Sequence, residues 1–284
     1  MGVRRLVGAV LLALTAPVAA VPGAVAGGPG AAEIRVAVAS NFAPVARRLA
    51  DRFENETGHR VVLLPGSTGK IYAQIRNGAR LDAFLAADAW RPALLERDAL
   101  AVAGSRFTYA RGRLALWSPR AGYVDPAGEV LATGDFRRLA IANPRLAPYG
   151  EAARQVLVEL DLWDALAPRL VRGENIAQTY QFVATGNAEL GLVAYAQLAA
   201  PGAPAGGSMW LVPAELHEPV EQQAVLLSDA APARAFLAYL AGSEACGLIE
   251  RHGYTCGPPP PPSTTSTAST RSSWCQTCSR TWSV

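Results

Sequence analysis

The chain is poor in several things at once, and each shortage closes off a class of function. It holds a single lysine, Lys70, so its basic charge is carried almost wholly by arginine. Those arginines are scattered among acids, the formal net charge is only +3, and no basic block carries interleaved aromatics. Nucleic acid is therefore not an expected partner. The lysine shortage itself reads as nucleotide bias. No run after the first twenty residues is apolar for long enough to span a bilayer. No cysteine precedes Cys246, which leaves nothing near the start to carry a lipid anchor. The three histidines, His59, His217 and His252, are dispersed and receive no role.

What the ends contain is distinctive. Arg4 and Arg5, the apolar run Leu6 to Leu14 and the A-x-A site Ala24-Val25-Ala26 make residues 1–26 a cleaved secretory signal peptide, so a soluble periplasmic protein is expected. From Gly257 to Val284 a proline run passes into Ser/Thr-rich sequence that lacks the apolar surface to fold, and it is read as a disordered tail. Of the four cysteines, Cys275 and Cys278 form an isolated C-x-x-C without a second ligand pair, which argues against zinc. Cys246 and Cys256 flank the last helical segment, and a helix between them is expected to hold them apart rather than let them bridge.

Between the ends, half-hydrophobic sequence alternates strands with helices. Ile34–Val38, Arg60–Leu64 and Ala83–Ala86 read as strands. The helices between them carry apolar faces such as Val45, Leu49 and Phe53, closed by Gly58. This βαβαβ run predicts an α/β fold with parallel strands. Phe107–Trp117 reads as one long strand that crosses between lobes. A second set follows: "LAIANP", the loop "RLAPYG", helix Glu151–Leu160, "LVRGEN", helix "IAQTYQFVATG" and strand "LGLVAYA". "VEQQAVLL" is a returning strand, and a helix over Pro232–Leu240 precedes the final segment to Tyr254. Two lobes follow: residues 33–112 for the first part of lobe 1, 113–224 for lobe 2, and 225–256 for the return to lobe 1. Each is expected to hold a mostly parallel sheet flanked by helices, with ligand in the cleft between them.

The stretch "VVLLPGSTGKI" runs from strand through Gly and Ser into a helix. A nucleotide P-loop requires glycine where Leu64 stands and Ser/Thr where Ile71 stands, so both tests fail. Ser67-Thr68-Gly69-Lys70 matches the S-x-x-K of penicillin-interacting serine enzymes. Such an enzyme needs a downstream K-T-G, which a chain with one lysine cannot supply, and an S-x-N, which is absent. A serine acyltransferase using Ser67 and Lys70 would need arginine or histidine in place of that second lysine. The third reading is an anion cradle, in which helix-start N–H groups and the Ser67 hydroxyl face a small oxyanion. The plain alternative is a turn with an N-cap serine. Four strand-to-helix junctions share this character: Ser40-Asn41, Ser67-Thr68, Pro148-Tyr149 and Asn175-Ile176. In a doubly wound fold such junctions lie at one sheet edge and can converge. Neutral donors suit a fully ionised oxyanion, since a protonated one also needs an acceptor, and the nearest candidate, Asp88, follows a different strand.

The segments "VAVASNFAPV", "GSTGKIYAQIRNGARLDAFLAADAWRP" and "IANPRLAPYGEAARQVLVEL" resemble the periplasmic molybdate-binding proteins of ABC transporters, over about Glu33 to Tyr254. The resemblance implies a class II periplasmic binding fold that closes on a dehydrated tetrahedral oxyanion, molybdate or tungstate. It implies a monomer that uses no cofactor, does no catalysis and delivers its ligand to an ABC permease. The metal centre would be held only through its own oxygens. Position by position it implies that Ser40 contacts the ligand by hydroxyl and N–H, with Asn41 beside it and Ser67 as the second serine of lobe 1. In lobe 2 it implies a Tyr149 hydroxyl and an Ile176 backbone N–H. Another branch places its ligand tyrosine where Ala194 stands. Tyr195, one residue on, faces the other way along a strand and is read as packing. Lys70 is read as a solvated side chain or a distant field contribution. Binding of sulfate, phosphate or a small organic acid is the alternative, because selection among oxyanions rests on cavity size.

Overall fold

A computed structural model describes residues 30–203 and 206–258. The signal peptide, most of the tail, and Cys275 and Cys278 lie outside the described residues. The strands are β1 (Glu33–Ala39), β2 (Arg60–Gly66), β3 (Ala83–Leu85), β4 (Phe107–Gly112), β5 (Leu114–Ser118), β6 (Leu139–Ala142), β7 (Leu170–Gly173), β8 (Leu190–Ala194), β9 (Ser208–Leu211), β10 (Val220–Leu226) and β11 (Thr255–Cys256). The helices are α1 (Ala43–Thr57), α2 (Thr68–Arg76), α3 (Trp90–Arg97), α4 (Val130–Thr133), α5 (Pro148–Glu159), α6 (Trp163–Leu166), α7 (Ile176–Ala184), α8 (Ala196–Ala199), α9 (Ala231–Leu240) and α10 (Ser243–Arg251).

The strands form two sheets. The first has the order β11-β4-β10-β3-β1-β2 and the second β7-β6-β8-β5-β9. Each sheet is mixed rather than mostly parallel. β1 runs parallel to β2 and β3, and β6 parallel to β7 and β8, but β10 and β5 run antiparallel to their neighbours. The reason lies in the crossings: a strand arriving from the other lobe enters its sheet from the cleft end and must run against the parallel set. The expected single strand Phe107–Trp117 is two strands. β4 pairs with β10 and β11 in the first sheet, while β5 pairs with β8 and β9 in the second, and the break at Arg113 is where the chain changes lobe. β10 pairs in the first sheet from Val220 onward, so the return precedes the expected boundary at 225.

Apolar alternation explains the cores. On α1 the buried face is Val45, Ala46, Leu49, Ala50 and Phe53, at helical spacing, and Gly58 closes the helix in the left-handed conformation. That face packs with β1 residues Ile34, Val36 and Val38 and with Phe236 of α9. Lobe 2 gathers Leu114, Leu116, Leu139, Ile141, Leu190 and Leu192 from its strands with Val156 and Leu157 of α5. Cys246 and Cys256 form a disulfide with Cα atoms 5.7 Å apart, against expectation. α10 ends at Arg251, and a turn at His252-Gly253 sends the chain back as β11, so the two cysteines meet side by side instead of at opposite ends of a helix.

Candidate functional site

The carboxyl ends of the parallel strands point into the gap between the lobes. Ala39, Ser40 and Asn41 after β1, Gly66, Ser67 and Thr68 at β2, Ala87 after β3, Ala147, Pro148 and Tyr149 after β6, and Asn175 and Ile176 after β7 line one cavity. It is a small space of about 190 Å³ between the atoms of the two lobes. No charged side chain lines it. A larger groove of about 1570 Å³ follows the same lobe boundary past Trp90, Arg91, Arg145 and Glu151, but it carries carboxylates and lacks converging neutral donors.

Each wall of the small cavity has a local reason. Ser67 caps α2: its oxygen accepts from the Lys70 N–H at 3.3 Å, so its own proton is left to donate. Asn175 caps α7 by accepting from the Gln178 N–H at 3.0 Å, which places the Ile176 N–H at the first helical position, where no intrahelical acceptor exists. Both helices are nine residues long, enough to place partial positive charge at their starts. The Thr68 hydroxyl accepts from the Ala87 N–H at 3.1 Å and ties β3 to α2. Tyr149, only 1 % exposed, reaches the cavity because Gly112 stands at the end of β4. A Cβ there would lie 1.9 Å from the Tyr149 hydroxyl oxygen. Burial pushes the Tyr149 phenol well above its ordinary value of 10.0, so it remains a protonated donor.

The expected residues thus line one space, but two act differently from expectation. The Ser40 N–H donates to Gly66 O at 2.9 Å and is spent on joining β1 to β2, leaving the hydroxyl. The Asn41 amide donates to Gln222 Oε1 at 2.8 Å and to the Tyr254 hydroxyl at 3.1 Å, so its side-chain protons serve the protein. Lys70 is not merely solvated. It pairs across the cleft with Glu174 at 2.5 Å. Two further contacts join the lobes: the Gly69 N–H donates to Leu146 O at 2.8 Å, and Arg91 donates to Arg145 O at 3.3 Å. Asp88 is held by the Arg91 guanidinium and by the Arg91 N–H and does not line the small cavity. Tyr195 likewise stays outside it, with the Arg113 guanidinium over its ring.

Sequence reading missed Gln222, Tyr109 and Tyr254, which form a buried polar cluster behind Asn41 and Tyr149. One signal was available. Two adjacent glutamines inside the apolar strand "VEQQAVLL" cannot both face solvent in a sheet with covered faces.

The family model described as bacterial extracellular solute-binding protein matches residues 34–255. The molybdate-binding protein ModA of Azotobacter vinelandii is 51% identical over 227 residues, which are 79% of this chain and 90% of that protein. ModA of Rhodobacter capsulatus is 44% identical over 227 residues, 79% of this chain and 88% of that protein. The solved structure of the Azotobacter vinelandii periplasmic molybdate-binding protein superposes with a TM-score of 0.76 at 42% identity, covering 79% of this chain and 100% of that one.

Proposed function

Since the chain belongs to the bacterial extracellular solute-binding proteins, in the molybdate-binding family, we propose that it captures molybdate or tungstate outside the cytoplasm and hands it to an ABC permease. The signal sequence is removed on export, and the mature chain works as a monomeric receptor without catalysis. The observation that carries this reading is the composition of the small cavity: neutral donors from both lobes and no charged group.

A fully ionised tetrahedral oxyanion offers only acceptor oxygens. Its transfer from water into the cleft is offset when every oxygen meets a donor, and donors bound to an ion are worth about 1.5–3 kcal/mol each. The Ser40 and Ser67 hydroxyls serve from lobe 1; the Tyr149 hydroxyl and the Ile176 N–H serve from lobe 2. Asn41 contributes through its position beside the ion rather than its amide. Closure brings the Gly69 and Leu146 backbones together and seals the ion from water, which strengthens each contact. A hydrogen phosphate dianion brings a proton that this lining has no carboxylate to accept.

The test is thermal unfolding of the mature chain with molybdate, tungstate, sulfate or phosphate. At about a hundred times its Kd a ligand of the native state adds roughly 2.7 kcal/mol. Molybdate and tungstate should stabilise alike, and sulfate, with its smaller tetrahedron, far less. Equal response to sulfate would make the protein a general oxyanion receptor. No response to any oxyanion would remove the reading. Trp90, 54 % exposed beside the inter-lobe groove, gives an independent fluorescence signal of closure.

A further inference from the structure

Behind the cavity the polar cluster has a direction, and a backbone carbonyl anchors it. The Tyr254 hydroxyl lies 2.9 Å from Asn41 O, which can only accept, so Tyr254 donates there. Toward the Asn41 side chain, at 3.1 Å, Tyr254 must then accept, which identifies that atom as Nδ2. The second Nδ2 proton points at Gln222, at 2.8 Å, and requires Oε1 there. Tyr109 faces the same Oε1 at 3.2 Å and Ala86 O at 3.1 Å, two acceptors that share its single proton. The other end of the Gln222 amide is therefore Nε2, and it faces the Tyr149 hydroxyl oxygen at 3.4 Å. Tyr149 must accept from it. Its own proton has no acceptor among the described hydrogen bonds and is left for the cavity that Tyr149 lines.

Gln222 is fully buried and sits at a register shift between Gln222 and Gln223 on β10. Such a shift re-aims side chains, and β10 is the strand that returns from lobe 2. Building on the oxyanion reading, we propose that Gln222 is a positioning residue that locks Tyr149 as a hydrogen-bond donor, and so removes one acceptor from the site and biases it against oxyanions that still carry a proton. A hydroxyl free to rotate could accept such a proton; one held by Gln222 Nε2 offers the ligand a proton instead. The lone pairs of Tyr149 are directed to the protein, and its proton to the anion.

The experiment uses selenate and hydrogen arsenate at mildly alkaline pH, two dianions of similar size that differ by one proton. Their Kd values are measured by calorimetry for the wild-type mature chain, Gln222→Glu, Tyr149→Phe and the double variant, alongside molybdate. In Gln222→Glu the carboxylate still accepts from Asn41 and Tyr109, but it also accepts the Tyr149 proton, turning the tyrosine lone pair toward the ligand. The added negative charge weakens both dianions equally, so it cancels in their ratio. The selenate-over-arsenate preference should fall about tenfold in Gln222→Glu and should not change on adding Gln222→Glu to Tyr149→Phe. Gln222→Met, which neither donates nor accepts, should give a smaller fall that again vanishes without the Tyr149 hydroxyl, and it decides the matter if Gln222→Glu does not fold. An unchanged ratio, or the same change in the Tyr149→Phe background, would overturn the role of Gln222. Failure of the wild-type chain to bind any oxyanion would instead overturn the receptor reading and the proposal with it.

Discussion

The two lobes repeat one plan with different outcomes at the cleft. β2-β1-β3 with β10 and β4 beside them corresponds to β7-β6-β8 with β5 and β9. α1 follows the first strand in lobe 1 as α5 does in lobe 2, and α2 and α7 follow the second strands. The second junctions are near equivalents, each capped by a side-chain oxygen that accepts an N–H three residues on. The first junctions differ. Lobe 1 passes from β1 to α1 through Ser40, Asn41 and Phe42 alone, and its serine stands in the turn. Lobe 2 spends the longer loop from Asn143 to Ala147 before α5 starts, and its cavity-lining hydroxyl, on Tyr149, is carried on the helix. The longer reach demands a longer side chain, and a buried phenol needs a partner for its oxygen. That partner, Gln222, belongs to the sheet of lobe 1. The Tyr149 hydroxyl of lobe 2 is therefore oriented from lobe 1, whereas the Ser67 hydroxyl is held within its own lobe by the Lys70 N–H.

Several experiments would break or sharpen this contrast. The largest effect expected is on stability and should be confined to lobe 1. Its Cys246–Cys256 disulfide closes a short loop with a sequence separation of 10, and replacing both cysteines by serine should cost about 2–4 kcal/mol. Denaturant melts should fall accordingly while molybdate affinity is kept, because neither cysteine lines the cavity; a loss of affinity would tie the distal edge of lobe 1 to the cleft.

Next come the donors themselves. Tyr149→Phe and Ser67→Ala should each weaken binding by about 1.5–3 kcal/mol, roughly ten- to a hundredfold. Calorimetry on folded variants checks this, and if either variant binds like wild type, that lobe's donor is misassigned.

Gly69 tests the contact between lobes. A Cβ there would come within 2.9 Å of Leu146 O and 3.1 Å of Leu146 Cα, so Gly69→Ala should hold the lobes apart and cost about 1–3 kcal/mol of closure. Because alanine favours the helix by about 1 kcal/mol over glycine, the unliganded melt should be unchanged or higher while affinity falls. A parallel fall in both would mean that Gly69 is needed for folding rather than for closure.

Alkaline titration follows. Burial raises the phenols of Tyr109, Tyr149 and Tyr254 above their ordinary 10.0. A raised folded-state value means that stability is fully present below the unfolded value and is lost as pH climbs past it, when the unfolded chain ionises first. Binding and stability should be flat from neutral to mildly alkaline pH, and stability should decline above about pH 10. A decline already near neutrality would contradict the protonated-donor account.

The smallest effect belongs to Lys70→Ala. Its pair with Glu174 is about half exposed on both sides, and such pairs contribute about 0–1 kcal/mol. Affinity should shift by a few-fold at most, and less at high salt; complete loss of binding would replace the neutral-donor account with a cationic one.

The sequence by itself determined the elements and the junction chemistry. Apolar spacing on α1, the turn residues before α2 and the cap at Asn175 are local properties, set by backbone geometry and by what each helix start leaves unpaired. Tertiary structure alone decided how those groups are used. The division of Phe107–Trp117 at Arg113 follows from which sheet each half can pair with, not from its own pattern. The Cys246–Cys256 bridge depends on a chain reversal after α10. Asn41 and Gln222 are 181 residues apart, and the sense of their hydrogen bond is fixed by a backbone carbonyl and the Tyr254 hydroxyl, brought together only by folding. Hydrogen-bond polarity passes from group to group through contacts in space, so no stretch of chain, read alone, records which way the Tyr149 proton points.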